Sequence, residues 1–296
     1  MVAKAESPAV QDPVFSDQTA AAGITYHNVF GGAEKHFILE SHGSGAAFYD
    51  HDGDGDLDLY IANGATFDTY RDRTGPGNEL YRNQGDGTFA AITQQADVGD
   101  AGWAGGVAVG DIDNDGDPDL YISNYGANIL YRNGPGDPYA DITAPAGVAG
   151  DAYSAGAAFF DYDNDGDLDL YVANYVEFDA ANRPADPALC AFFGGLRVYC
   201  GPKGMVGAPD VLYRNEGDGQ FSDATHISGV AQANRYYGLG VIPSDYDLDG
   251  DQDLFVANDE TPNVLFQNQA DGTFRDVGLI AGVAYNGDGD AEAGMG

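Results

Sequence analysis

Apolar residues along this chain come in short runs, each cut off by glycine, asparagine or aspartate before a helical repeat is established. LYIANG, LYISNYG, LYVANYV and LFVAND recur along the sequence, and each is preceded by a run of small and apolar residues: GAAFY, GVAVG, GAAFF and GVIPS. Runs of this length and composition suit strands buried on both faces. A helical reading fails, since Gly, Asn and Asp interrupt every candidate window. A further pattern follows each pair of runs: NELYRNQGDGTF (78–89), NILYRNGPGDPY (128–139), VLYRNEGDGQF (211–221) and NVLFQNQADGTF (263–274). These read strand, tight turn, strand, with Asp-Gly or Gly-Asp pairs supplying the positive φ of a two-residue hairpin turn.

Between the two runs of each pair lies an aspartate series, and it occurs four times: DHDGDGDLD from Asp50, DIDNDGDPD from Asp111, DYDNDGDLD from Asp161 and DYDLDGDQD from Asp245. The repeating unit is strand, acidic loop, strand, connection, strand, turn, strand. That is a four-stranded antiparallel sheet with local connections, the form of one propeller blade. The expected fold is all-β: a β-propeller with four complete blades and partial edges, truncated from a longer ring. The expected divisions are a flexible leader (1–13), a closing strand and lead-in segment (14–44), and blades at 45–104, 105–154, 155–238 and 239–293. The third blade carries an insertion at 176–209, and 294–296 begins a further blade. VFSDQTAAAGI (14–24) resembles the exits QFSDATHISGV (220–230) and TFRDVGLIAGV (273–283) but lacks partner strands upstream. A chain that closes differently, or pairs between copies, is the alternative.

Within each acidic loop, counted from its first Asp, carboxylates stand at positions 1, 3, 5, 7 and 9, with Gly at 6. They are Asp50, Asp52, Asp54, Asp56 and Asp58; Asp111, Asp113, Asp115, Asp117 and Asp119; Asp161, Asp163, Asp165, Asp167 and Asp169; and Asp245, Asp247, Asp249, Asp251 and Asp253. A loop coiled around a hard cation can aim alternate side chains inward, and calcium takes six to eight oxygens. By analogy with the known calcium loop, side chains at 1, 3, 5 and 9 are the expected ligands and position 7 offers its carbonyl, leaving the Asp167 side chain to solvent. This is no EF-hand, because position 12 is Ile61, Ile122, Val172 or Val256 instead of a bidentate Glu. Zinc is disfavoured by the all-oxygen ligand set, and magnesium by its tight octahedral geometry. One copy alone could be a solvated acidic turn; recurrence at one structural position favours about four calcium ions. Unneutralised, two carboxylates ~5 Å apart repel by several kcal/mol at an effective dielectric near 20, so the expected calcium is structural.

The balance of 48 acidic to 12 basic residues, a formal charge of −36 in 296 residues, disfavours nucleic acid or an anionic membrane as partner. Apolar content of 43% and aromatic content of 12% indicate a packed chain, not a disordered acidic one. No apolar run approaches the ~20 residues of a membrane span. The first fifteen residues lack an apolar signal-peptide core, so an exported protein would be present here in mature form.

These features together resemble the FG-GAP/VCBS repeats of the integrin α-subunit propeller type. The resemblance is stronger to the cartilage acidic protein-like, ASPIC/UnbV group of secreted proteins. It rests on HFILESHGSGAAFYDHDGDGDLDLY (36–60), CAFFGGLRVYCGPKGMVGAPDVLYRNEGDG (190–219), YGLGVIPSDYDLDGDQDLFVANDETPNVLFQN (237–268) and AYNGDGDAEAGMG (284–296). The resemblance implies seven blades, often with a C-terminal ASPIC/UnbV domain, so about three blades would lie outside this chain. Blade two departs from the pattern, with GDPY where others read GDGTF or similar.

Cys190 and Cys200 are the sole cysteines. One pair in an acidic protein with calcium loops points to a disulfide and an oxidising compartment, extracellular or periplasmic, against two free buried thiols. The insertion also gathers scarce cations, Arg183, Arg197 and Lys203, among Phe192, Phe193 and Tyr199. Two expectations stand: a face binding a protein partner or acidic glycan, or a disulfide-pinned cap over the blade.

No nucleophile elbow, His-Glu-x-x-His or P-loop is present. The histidines at 27, 36, 42, 51 and 226 are not paired at metal-ligand spacing, and His42 suits a turn or blade contact. The Tyr-Arg-Asn triplets at 81–83, 131–133 and 213–215 suit inter-strand packing, with Arg satisfying a neighbouring carboxylate. Asn286 to Asp290 lacks the first ligand positions and suits a hairpin turn. The expected function is a secreted, calcium-stabilised, non-enzymatic propeller for adhesion, scaffolding or protein–protein interaction. Further blades or another copy would complete its ring, and no membrane insertion is expected. The alternative is a carbohydrate-binding or carbohydrate-active propeller, a lectin or lyase.

Overall fold

The computed structural model describes residues 15–41, 43–136, 138–184, 189–191, 193–231 and 235–294. The leader 1–13, His42, Phe192 and residues 295–296 lie outside the described residues. Each repeat folds as one four-stranded antiparallel sheet in sequential strand order. The first holds β1 (Ala46–Tyr49), β2 (Asp58–Ile61), β3 (Glu79–Asn83) and β4 (Phe89–Ala91). The second holds β5 (Trp103–Gly110), β6 (Asp119–Tyr125), β7 (Ile129–Arg132) and β8 (Ala140–Asp141). The third begins with β9 (Ser154–Phe160) and β10 (Asp169–Asn174). A two-stranded hairpin, β11 (Cys190–Ala191) and β12 (Arg197–Val198), then interrupts before β13 (Val211–Asn215) and β14 (Phe221–Asp223) complete that sheet. The fourth holds β15 (Gly238–Ser244), β16 (Asp253–Asn258), β17 (Val264–Asn268) and β18 (Phe274–Asp276).

The first strands β1, β5, β9 and β15 pack beside one another in chain order. Glycine makes that approach possible. A Cβ on Gly105 would come within 2.7 Å of the Ser154 carbonyl oxygen, and one on Gly156 within 2.4 Å of the Leu239 carbonyl oxygen. Small residues before each acidic loop are therefore a packing requirement of the inner strands. Beyond them, apolar side chains fill the space between consecutive sheets. Tyr60, Leu80, Leu120 and Ile122 lie between the first and second sheets. Tyr121, Leu130, Leu170 and Val172 lie between the second and third, and Tyr171, Leu212, Leu254 and Val256 between the third and fourth. All of β10 is buried, as its unbroken apolar run requires.

Equivalent positions change exposure at the two outer sheets. Position 2 of the acidic loop faces the following sheet: His51, Ile112 and Tyr162 are buried, whereas Tyr246 in the last sheet is 42% exposed. At the other end, Phe48 is 62% exposed, whereas its equivalent Phe159 packs against the second sheet. Residues 19–23 form a turn whose Ala22 carbonyl accepts the Phe89 N–H at 2.8 Å. The same contact recurs where Ala96 accepts from Tyr139 (2.9 Å) and Ser228 from Phe274 (2.7 Å). The segment before the first sheet thus sits as the exits of the first and third sheets do against the sheets that follow them. Among the described residues no helix is long and apolar enough to cross a membrane.

Candidate metal centres

Each acidic loop joins the first two strands of its sheet and is folded around its first carboxylate. Asp161 accepts the N–H groups of Asp165 (3.2 Å) and Gly166 (3.0 Å), and Asp50, Asp111 and Asp245 do the same in their loops. Two residues with positive φ make the coil. Position 6 is Gly in every loop, with φ from 91° to 101°. Position 4 is Gly53, Asn114, Asn164 or Leu248, with φ from 56° to 73°. Asn tolerates that region well, and Leu248 does not.

The last aspartate of each loop begins the second strand and is buried. Asp169 accepts the Tyr162 N–H at 2.9 Å with one oxygen and the Asn215 N–H at 2.9 Å with the other. Asp58, Asp119 and Asp253 are held by the same pair of bonds. This brings three carboxylates to a point in every repeat, with one oxygen from each within 4.8 Å of the others: Asp50, Asp52 and Asp58; Asp111, Asp113 and Asp115; Asp161, Asp163 and Asp169; Asp245, Asp247 and Asp253. The sequence pointed to positions 1, 3, 5 and 9. Positions 1, 3 and 9 converge in three loops, and positions 1, 3 and 5 in the second. In all four loops the position-5 carboxylate (Asp54, Asp115, Asp165 or Asp249) also accepts the N–H of position 7.

The donor set suits a hard divalent cation. Every converging atom is a carboxylate oxygen, and Asp113 Oδ1 and Asp163 Oδ1 are buried without a hydrogen-bond partner. Burial, reinforced by the adjacent Asp115 or Asp165, pushes Asp113 and Asp163 above the usual carboxylate range. Burial also pushes Asp119 up to about 7 and Asp169 up to about 8, and raises Asp58 and Asp253. Among the described residues, positive charge offsets these shifts only in part. The nearest cations are loose: Arg82 stands 3.9 Å from Asp52, and Arg132 stands 3.9 Å from Asp113. Partly exposed pairs of that length contribute little. Arg214 turns to Glu216, and in the fourth repeat Gln267 donates to Asp247 at 2.6 Å.

Sequence reasoning missed how the loops are tied together. The Asn at the end of the third strand grips its own loop and, in the second to fourth sheets, the one before as well. Asn215 Nδ2 donates to the Leu168 carbonyl at 3.1 Å and across to the Ile112 carbonyl at 2.8 Å. Asn133 reaches His51, and Asn268 reaches Tyr162, in the same way. Position 7 also has a task beyond solvation: Asp167 accepts from Asn114 Nδ2 at 2.8 Å, and Asp251 from Asn164 Nδ2 at 2.6 Å. The recurrence of Asn in these places was the available signal.

Cys190 and Cys200 form a disulfide with Cα atoms 5.1 Å apart, spanning the β11–β12 hairpin. The three insertion cations have separate settings. Arg183 lies 4.1 Å over the Phe67 ring and donates to the Ala180 carbonyl. Arg197 donates to the Leu189 carbonyl within its own hairpin, and Lys203 is exposed. Tyr199 is half-buried against the aromatic cluster containing Trp103 and Tyr153. The Phe193 side chain, like Phe192, lies outside the described residues. His51 is buried, stacked on Tyr139, with Nδ1 3.2 Å from its hydroxyl.

Residues 50–122 and 111–172 each match the family model described as FG-GAP-like repeat. The matches reach from the first acidic loop into the strand after the third; the fourth loop lies beyond them but keeps the same internal hydrogen bonds. A search of curated proteins finds no significant match to the chain. Among solved structures it is similar to an Agrocybe aegerita lectin, described for specific recognition of non-reducing terminal N-acetylglucosamine. The two share 18% identity and a TM-score of 0.41, over 77% of this chain and 49% of the lectin. The chain spans about half that protein's length.

Proposed function

We propose that the FG-GAP-like repeats form a calcium-binding β-propeller module, with about four calcium ions, one per acidic loop, holding the first two strands of each blade together. The observation that carries this reading is the fourfold convergence of carboxylates at one place in the repeat, two of them with buried oxygens that no protein group satisfies. Bound there, calcium would supply the positive charge these oxygens lack. The protein's part is to hold the position-1 and buried strand carboxylates in place through backbone N–H groups, with the position-3 carboxylate brought alongside them.

The module is proposed to be extracellular or periplasmic, of the ASPIC/UnbV type, and to act in adhesion, scaffolding or protein–protein interaction without catalysis. The disulfide supports an oxidising compartment. Tyr246, exposed at a position buried in the other sheets, and Phe48, exposed where Phe159 is half-buried against its neighbour, support a longer ring in which further blades cover both outer sheets.

Calcium titration of metal-free protein, followed by calorimetry and thermal melting, tests the reading. Binding near four equivalents with a raised melting midpoint, and a weaker response to magnesium, is expected. An unchanged midpoint on protein shown to be metal-free would refute it.

A further inference from the structure

The acidic loops are not equally connected. In the second and third loops, position 4 is an asparagine held at φ 56° or 59°, and its Nδ2 crosses to the position-7 carboxylate of the next loop: Asn114 to Asp167 at 2.8 Å, Asn164 to Asp251 at 2.6 Å. In the first loop position 4 is Gly53, which has no side chain to reach Asp117. In the fourth it is Leu248, exposed and without a donor. The ties therefore run from the second loop to the third and from the third to the fourth, and omit the first.

We infer that Asn114 and Asn164 couple cation binding across these three loops more strongly than the first loop is coupled, since the first is joined to the second only through Asn133. The inference rests on the calcium reading above. Asn114 stands between Asp113 and Asp115, both of which converge on the second site. Holding these two carboxylates fixes the backbone of Asn114 and so the direction of its amide. Asp167, which receives that amide, is also the residue whose carbonyl is the expected ligand of the third site. Ordering the second loop lowers the ordering cost of the third, and the third acts on the fourth through Asn164 and Asp251. The coupling is reciprocal by thermodynamic necessity. One net hydrogen bond per junction corresponds to about threefold to tenfold in affinity.

The test replaces the two asparagines by the residue that the first loop already carries. Asn114→Gly/Asn164→Gly keeps the positive φ while removing the donors. Calcium isotherms of metal-free wild type and variant are compared by calorimetry, with terbium luminescence as a second readout. Wild type should show three sites filling with a Hill coefficient above that of the first loop's site. In the variant the steepness should fall to the first loop's level and the affinity of the coupled sites should fall about threefold to tenfold. The reverse change, Gly53→Asn, should draw the first loop into the set. Calcium binding with identical isotherms in wild type and variant would overturn the coupling alone. No calcium binding by wild type would overturn the coupling and the calcium reading together.

Discussion

The two ends of each blade are stabilised by opposite means. Where β5 begins and β6 ends, Trp103, Tyr125, Tyr153, Tyr175 and Tyr237 form a chain of edge-on rings with centroids 5.4–6.5 Å apart. The protein supplies its own polar partners there: Tyr125 donates to the Phe178 carbonyl, Tyr237 to the Met205 carbonyl and Tyr175 to Asp259. Where β5 ends and β6 begins, converging carboxylates leave oxygens that no side chain satisfies. The aromatic end meets most of its polar groups from within the fold, although Ser123 Oγ and Asn124 Oδ1 are left buried without a partner. The acidic end gathers carboxylates that side-chain cations of the described residues approach only loosely.

Metal removal should break this comparison most strongly. Four sites, each stabilised by about 2.7 kcal/mol at a hundredfold excess of ligand over Kd, would lower the melting midpoint by about 10 °C or more in chelator. Trp103 is the sole tryptophan and is buried at the aromatic end. Its emission should stay blue-shifted in chelator below the melting temperature, while hydrogen exchange accelerates in the loops. A red shift at the same chelator concentration would show that the two ends are not separable.

Trp103→Ala comes next. Removing a fully buried indole should cost about 3–5 kcal/mol, and the loss measured by denaturant unfolding should be equal with calcium or with chelator. A loss that appears only with calcium would mean that the aromatic end depends on the loops. A smaller effect is expected from Cys190→Ser/Cys200→Ser, since closing so short a loop contributes ~2–3 kcal/mol. Proteolysis should show the damage confined to the insertion, with calcium affinity unchanged.

The acidic end was largely legible in the sequence because it is local: nine consecutive residues contain every converging carboxylate of a loop. Recurrence also gave the four-stranded units, and the apolar runs gave β6, β10 and β16. Two things were not legible. The aromatic end is assembled from strand ends and from the insertion, where Phe178, Tyr199 and Met205 approach Trp103 only after folding. The ties between loops join residues about fifty or more positions apart, such as Asn114 with Asp167, and the recurrence of Asn marks one partner without naming the other. The insertion cations, read as one group because they are close in sequence, occupy three separate settings.

One irregularity in the repeat gives the finest test of which polar groups the fold satisfies by itself. The residue before the third strand is Asn78, Asn128 and Asn263 in three blades, and Asp210 in the third blade. Asn78 accepts the Asn63 N–H at 2.7 Å and donates to the Tyr60 hydroxyl at 3.0 Å. Asp210 instead accepts from both partners, the Asn174 N–H at 2.7 Å and the Tyr171 hydroxyl at 2.9 Å. Burial pushes Asp210 up to about 7, against the lowering effect of those two bonds. The folded state therefore holds this proton more tightly than the unfolded chain does. Stability from this group is fully present below pH 4 and is lost as the pH rises towards and through 7. Asp210→Asn removes the ionisation and restores the repeat's amide. The variant should match wild type near pH 4 and exceed it by up to about 4 kcal/mol at pH 8, both in saturating calcium. Denaturant unfolding across that range measures the difference. A gap independent of pH would mean that Asp210 is neutral throughout, or that its charge is compensated within the blade as fully as the hydroxyls of the aromatic end.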